Sequence, residues 1–543
     1  MAGAVMEQIS RCLSDKSNFL LSGGAGSGKT YTLIQTLHYV FKSNPKSRVA
    51  CITYTNVAAN EIKERSPYSK LHVSTIHDFL WGEIKGYQKN LTQAVLHLIF
   101  AEKQEKGTGL SYSGEAKITA GSFACVEYQN YRDLEHGIIS HDDLLKVANY
   151  MFATYPLLSK LLCNKYDYIF IDEYQDTQKQ VIEIFLNHIK AYAENSLCIG
   201  FFGDRMQSIY ESGVGNIQTH IDSGEVCEIV KEDNYRCATK VIELLNIIRS
   251  DITQRPAKLN SDGSIANKVG SATFVYSDME FDLEFFRTSE FVVDWDFEDS
   301  HSTKVLLLTH KLSAARLGFA ELLSAYKHTD DLIGNEPDRL ARQLLKIGGI
   351  LYHYKRENYA YVIGEIAQKI RSNSDKKRIS TLLAHVSKSL ETDMSIEMLI
   401  DAFASARLVR KDDSWDVYMK ERDEIYNKVK GLPALQVLSY FEYYNDFSPY
   451  STQHGVKGAE FDNVLVIMDN GKWNSYNFKY YFEKTPGKES IIERTARLFY
   501  VCCSRAKKNL IVYYPNPTQQ IIVQAKKMFG ENNVRSISGT LSI

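Results

Sequence analysis

Eight residues, GGAGSGKT from Gly23 to Thr30, have the spacing G-x-x-x-x-G-K followed by a hydroxyl residue. Gly23, Gly26 and Gly28, with Ser27 among them, let backbone N–H groups close around phosphate oxygens. A helix beginning at the end of this turn adds the partial positive charge of its N-terminus. Lys29 is placed to reach the β- and γ-phosphates, and Thr30 to offer its hydroxyl to Mg²⁺. A second stretch, YIFIDEYQDT (168–177), ends an apolar run in two acids. Asp172 can hold the metal beside the phosphates, and Glu173 can orient or deprotonate the attacking water. An apolar run ending in Asp-Glu is common by itself and is then usually a solvated strand end. Beside a phosphate loop it reads as half of a nucleotide-hydrolysing site. A third stretch, FFGDRMQSIYESGVG (201–215), brings Asp204 and Gln207 to the end of another apolar run, where a γ-phosphate can be sensed.

These groups need rigid elements to hold them. NFLLS (18–22), RVACIT (48–53), YDYIFID (166–172), LCIGFFGD (197–204), KVLLLT (304–309), NVLVIMD (463–469) and NLIVYY (509–514) are short apolar runs separated by helix-length segments. Continuous apolar runs predict strands buried on both faces, hence parallel sheets covered by helices. Such sheets bind ligands at the carboxyl ends of their strands, and that is where the polar motifs stand.

The bulk composition agrees. A chain of 543 residues is too long for a single core. With 44% hydrophobic and 24% charged residues, it has the composition of an ordinary soluble globular protein. The formal charge of −2 means that any nucleic-acid binding must use a local positive groove. Nine cysteines form no CxxC pair and no zinc spacing, and Cys502 and Cys503 read as core residues. The first residues lack a secretory layout, and no run approaches the about 20 apolar residues of a membrane span. A cytoplasmic address with no membrane partner is the expectation.

DEYQDT and GDRMQSIY together resemble the UvrD/Rep/PcrA family of superfamily 1 DNA helicases, and that family's other motifs follow in order. EQISRCL places Gln8 where the family keeps an adenine-recognising glutamine. TYTNVAANEIKER (53–65) resembles a DNA-side motif, with Tyr54 in place of phenylalanine, and VSTIHDF (73–79) resembles the next, with His77. HDDLL (141–145) is similar to a helix start that precedes the family's Asp-Glu strand. NYR (234–236), STQHGVKGAEFDNVLVI (451–467, with Ala459 for leucine) and RLFYVCCSRAKKNLIV (497–512) resemble the later motifs.

The resemblance implies an α/β protein of two RecA-like parallel-sheet domains that use ATP and Mg²⁺ between them. The first would supply Gln8, Lys29, Thr30, Asp172, Glu173 and Gln207. The second would supply Arg236 and Arg505 as arginine fingers, Tyr235 to stack on adenine, and Gly458 and Glu460 near the nucleotide. Tyr54, His77, Thr452 and His454 match DNA-side positions. The expected substrate is single-stranded or partly duplex DNA, travelled 3′ to 5′.

By the same resemblance, 1–80 and 151–233 form the first motor domain and 81–150 an insertion of 1B type. Residues 234–330 and 441–543 form the second motor domain, and 331–440 a reduced helical insertion of 2B type. Apolar positions in 359–391 recur at helical spacing, and 411–430 reads as a charged, solvated helix. Nothing substantial follows the final motif, so no fused nuclease is expected there.

One departure bears on activity. The family follows its Q-S-I-Y with an aromatic that stacks on a DNA base, whereas this chain has Glu211, Ser212, Gly213 and Val214. Losing one stack weakens grip by about 1–3 kcal/mol without abolishing ATP turnover. Tyr210 and the aromatic clusters 440–447 and 473–482 are candidates to compensate, although packing is their plainer role.

Two readings follow: a DNA translocase, or a nucleotide-gated subunit that controls a partner such as a nuclease. Compact UvrD-like chains of this kind resemble the helicase partner of two-gene phage-defence systems such as Gabija. An RNA helicase is disfavoured by the spellings DEYQD and TYTN.

Overall fold

The computed structural model describes residues 2–537 except 108, 113, 115–117, 120, 194–195, 210–216, 258–268, 279, 391, 393, 410–422 and 471–472. The stretch expected to carry the missing aromatic, with Tyr210, and most of the charged segment 411–430 lie outside the described residues. The chain divides into two compact units, Met1–Lys268 and Val269–Ile543.

In the first unit six parallel strands form one sheet. They are β1 (Asn18–Gly23), β2 (Val49–Thr53), β3 (Leu71–Thr75), β4 (Tyr168–Ile171), β5 (Cys198–Gly203) and β6 (Val226–Lys231), in the order β3-β2-β4-β5-β1-β6. The central strands are the expected apolar runs, because a strand covered on both faces has no solvated side chains. Helices α1 (Ala2–Ser14) and α2 (Lys29–Ser43) cover one face, packing Ile9, Leu33, Leu37 and Val40 against Phe19, Cys51 and Phe202. On the other face the helices of 76–165 pack Phe79, Leu98, Leu144 and Phe152 against Leu20, Ile52 and Ile169. The segment expected as a 1B-type insertion thus shares its apolar core with the sheet.

The second unit repeats the plan. Strands β7 (Ser271–Ser277), β8 (Thr303–Leu307), β9 (Tyr450–Thr452), β10 (Phe461–Ile467), β11 (Ala506–Pro515) and β12 (Val534–Ser536) are all parallel, in the order β9-β8-β10-β11-β7-β12. The described part of 331–440 is mainly helical, with helices at Arg339–Lys355, Asn373–Ser389 and Ile396–Ser405 among others. Its Leu344, Ile379, Leu399 and Val437 join Val305, Leu465 and Ile511 of the sheet in one cluster. Cys502 and Cys503 are buried core residues, as expected.

The expected boundary at 233/234 moves. The first unit extends to Lys268, because Asn234 and its neighbours bond to the phosphate loop of that unit. Tyr235 and Arg236, expected on the second motor domain, therefore belong to the first unit. Of the twelve strands in the two six-stranded sheets, five (β3, β6, β7, β9 and β12) were not picked out from sequence. β3, β6, β9 and β12 stand at sheet edges, and β3 and β6 mix buried with exposed positions.

Candidate nucleotide-binding site

The phosphate loop joins β1 to α2. Gly26 and Gly28 both have φ of 75°, the left-handed region that an L side chain rarely adopts. Gly28 caps α2, so the first N–H groups of that helix open into the loop. The Lys29 ammonium donates to Gly23 O at 3.0 Å and Gly24 O at 3.4 Å, holding it inside the turn. Ser27 is buried in the same turn, and its Oγ has no hydrogen-bond partner among the described residues.

At the end of β4, Asp172 is buried with its carboxylate 3.4 Å from Thr30 Oγ1. Burial, and next the neighbouring Glu173 carboxylate, push the Asp172 carboxyl up to about 7, while Lys29 opposes the shift. A divalent cation would relieve that cost directly. The hydroxyl–carboxylate pair, the inward lysine and the orphaned Ser27 hydroxyl fit a triphosphate with Mg²⁺. Among the described residues there is no His/Cys/Asp/Glu group of three or more that could hold a metal by itself. The expected ion is thus one that Thr30, Asp172 and phosphate oxygens hold together.

Glu173 has φ 49° and ψ 44°, a left-handed conformation uncommon for a glutamate. Gln175 secures it, donating through Nε2 to Glu173 Oε2 and accepting at Oε1 from Asp204 N (2.9 Å). Gln175 thereby ties the end of β4 to the end of β5. Gly203 makes room for this bridge, since a Cβ there would lie 2.2 Å from Gln175 Oε1 and 2.4 Å from Tyr174 Cδ1. Beyond it, Gln207 is buried and donates through Nε2 to Asp204 Oδ2 at 3.0 Å.

The outer side of the loop is held by residues 231–254 of the same unit. Asn234 Nδ2 and Gln254 Nε2 both donate to Ala25 O, at 3.1 and 3.0 Å. Tyr235 N donates to Gly26 O at 2.9 Å. Lys231 Nζ donates to Thr32 Oγ1 at 2.7 Å, and burial lowers its pKa. The tyrosine ring is half-exposed beside this lysine, with its hydroxyl on Asp233. Arg236 is partly exposed, and its N–H bonds to Asn234 Oδ1. Lys231, Gln254, Gln175 and Arg249 were not found from sequence. Gln175 lies inside DEYQDT, where its type alone gives it no role, the other three lie in no motif, and Asn234 is readable through NYR.

Gln8 stands exposed on α1. Tyr54, just past β2, is 44% exposed, and burial of its remainder with Asp176 and Asp142 nearby raises its pKa. His77 is partly buried against the His141 ring at 4.8 Å, and burial with that neighbour lowers its pKa to about 4. The helix expected at HDDLL starts at His141, with a capping box between Ser140 and Asp143.

In the second unit Thr452 ends β9 and accepts from Gly455 N. His454 bonds to Tyr476 Oη at 2.8 Å, and burial, then His310, lowers its pKa to about 4. Trp473, 40% exposed, leans on both rings at 5.4 and 5.0 Å. By contrast, Tyr440, Phe441 and Tyr443 of the other aromatic cluster are buried packing. Gly458 (φ 89°) and Glu460 lie on an exposed turn. Arg505, only 1% exposed, donates to Val501 O, Ala459 O and Ser504 Oγ, which fastens it beneath that turn.

A phosphate loop at the end of β1, with Asp172 and Gln207 beyond the ends of β4 and β5 of the same parallel sheet, has the layout of a P-loop nucleotide-binding fold, and the sequence matches agree. Residues 7–213 match the AAA domain family, and residues 443–516 match the UvrD-like helicase C-terminal domain family. These matches are consistent with a UvrD-like protein of superfamily 1 helicase type.

It is 28% identical to Gabija protein GajB of Bacillus cereus (strain HuB5-5), over 95% of this chain and 96% of that protein. A second Gabija protein GajB, of Bacillus cereus (strain VD045), is 23% identical over 98% and 99% respectively. ATP-dependent DNA helicase PcrA of Staphylococcus aureus (strain NCTC 8325 / PS 47) is 26% identical over 48% of this chain and 42% of that protein. A solved arterivirus nonstructural protein 10 (helicase) aligns with 95% of this chain and 64% of its own, at 10% identity and a TM-score of 0.30. No described helix is long and apolar enough to cross a membrane.

Proposed function

We propose that this chain hydrolyses ATP with Mg²⁺ and uses the cycle to move 3′ to 5′ along single-stranded DNA. The observation that carries the hydrolytic part is the meeting of Thr30 Oγ1 with the buried Asp172 carboxylate beside the inward Lys29. Bound Mg²⁺ would neutralise charge on the phosphate oxygens. Thr30 and Asp172 hold its place, and Lys29 counters the β- and γ-phosphate charge. Glu173, held by Gln175, orients the attacking water and takes its proton. Gln207 senses the γ-phosphate. The family resemblance gives Arg236 and Arg505 the arginine-finger role, Gln8 and Tyr235 the recognition of adenine, and Gly458 and Glu460 a part in nucleotide binding. Tyr54, His77, Thr452 and His454 line the DNA path.

Displacement of streptavidin from oligonucleotides biotinylated at one end tests the motor part. Faster ATP-dependent release from the 5′ end than from the 3′ end supports 3′-to-5′ travel; the reverse preference, or none, contradicts it.

A second reading has its own support. The likeness to Gabija protein GajB runs nearly end to end, whereas that to PcrA covers half of this chain. On that reading the chain is an ATPase subunit gated by DNA or nucleotide that controls a partner nuclease in phage defence, with little unwinding.

A further inference from the structure

Arg249 follows the helix Thr239–Ile248 and turns its whole guanidinium inward. Nη2 and Nη1 donate to the two carboxylate oxygens of Asp204, at 3.1 and 3.3 Å, and both side chains are 0% exposed. Nε and Nη2 also donate to Asp251, at 2.9 and 3.0 Å. The same Asp204 carboxylate accepts from the side chain of Gln207 and from Met206 N. On its other side Arg249 lies against the phosphate loop, since a Cβ at Gly24 would stand 2.9 Å from Nη1. Five residues on, Gln254 holds Ala25 O.

A buried ion pair stabilises poorly compared with apolar packing of the same volume, so such a pair is better explained by what it fixes in place. Here it fixes Asp204, and Asp204 fixes the Gln207 amide. A planar guanidinium can satisfy two carboxylates in set directions, which an ammonium cannot. The segment doing this lies in 249–257, the last described stretch before the second unit begins at Val269.

We propose that Arg249 is a positioning residue that holds the Gln207 sensor in register with the phosphate loop through Asp204. The inference rests on the ATPase reading above and names a residue that none of the family motifs includes. When a γ-phosphate draws the Gln207 amide, the Asp204 carboxylate stays paired with Arg249, so the sensor's change is delivered to the 249–254 segment.

A double-mutant cycle tests it. Steady-state ATP turnover is measured for the wild type, Arg249→Lys, Gln207→Ala and the double variant, with nucleotide affinity from a fluorescent ATP analogue and melting temperature for folding. Arg249→Lys should lower kcat about tenfold or more while leaving affinity within about threefold, and should cost less than about twofold in the Gln207→Ala background. An equal loss in both backgrounds, or a loss that only follows the folded fraction, overturns the proposal. If Arg249→Lys does not fold, Asp251→Asn, which leaves the pair with Asp204, is carried through the same cycle. It should give a smaller loss that again disappears with Gln207→Ala, and an additive loss overturns the proposal equally. A wild type that binds nucleotide but shows no turnover would instead bring down the ATPase reading, and this inference with it.

Discussion

Thr30 Oγ1 lies 3.4 Å from Asp172 Oδ2, although 142 positions separate the two residues in the chain. The start of one helix and the end of a strand thereby present a hydroxyl and a carboxylate to one point. Because the point is buried, the carboxylate is costly unless a cation joins it.

Metal-free stability should therefore fall as pH rises. The Asp172 carboxyl ordinarily titrates at 3.8 and in the folded chain at about 7, so the folded state holds an extra proton between those values. Stability declines through that window and stays reduced above it, by on the order of a few kcal/mol at most. In EDTA at pH 8, Asp172→Asn should melt above the wild type, and the gap should close as pH falls toward 5. The same variant should lose at least about a hundredfold in Mg²⁺-dependent turnover.

Gly203→Ala should destabilise the first unit. The new methyl would meet Gln175 Oε1 at 2.2 Å and Tyr174 Cδ1 at 2.4 Å, and both of these side chains are buried. A loss of about 1–3 kcal/mol is expected in denaturant unfolding. Turnover per folded molecule should fall as well, because Gln175 holds Glu173.

Much of this site was legible before the fold was known. The strands at 18–22, 48–53 and 197–204 could be read because burial on both faces leaves no polar alternation. Lys29 and Thr30 could be read because phosphate chemistry fixes their spacing, and Asp172 because it ends an apolar run in a chain that carries such a loop. Arg249 and Gln254 could not, since RSDITQ looks like an ordinary polar turn and its meaning comes only from docking on Gly24 and Ala25. The motif order placed NYR in the second domain, but order says nothing about which core a segment packs on. Asn234 and Tyr235 bond to Ala25 and Gly26.

Trp473→Ala should weaken single-stranded DNA binding. Its indole is exposed, propped on His454 and Tyr476, and stands near the end of β9, where Thr452 lies. Removing one base stack costs about 1–3 kcal/mol, read as fluorescence anisotropy with labelled oligo(dT). Trp473→Phe should retain most of the affinity. Equal binding by all three proteins would return the indole to a packing role.

Arg505→Ala should keep ATP binding and lose about 10³- to 10⁵-fold in turnover, the usual range for an arginine finger. The side chain is also bonded to Val501 O and Ala459 O, so melting must be followed alongside. Loss of nucleotide binding in a folded variant would contradict the finger role.

The central claim is a hydrolytic site coupled to DNA. Its most direct test is ATP hydrolysis by the purified protein with and without single-stranded DNA, with Lys29→Ala as the blank. Turnover well above that blank and strongly stimulated by DNA is the predicted result. Turnover no higher than Lys29→Ala under either condition would contradict the account.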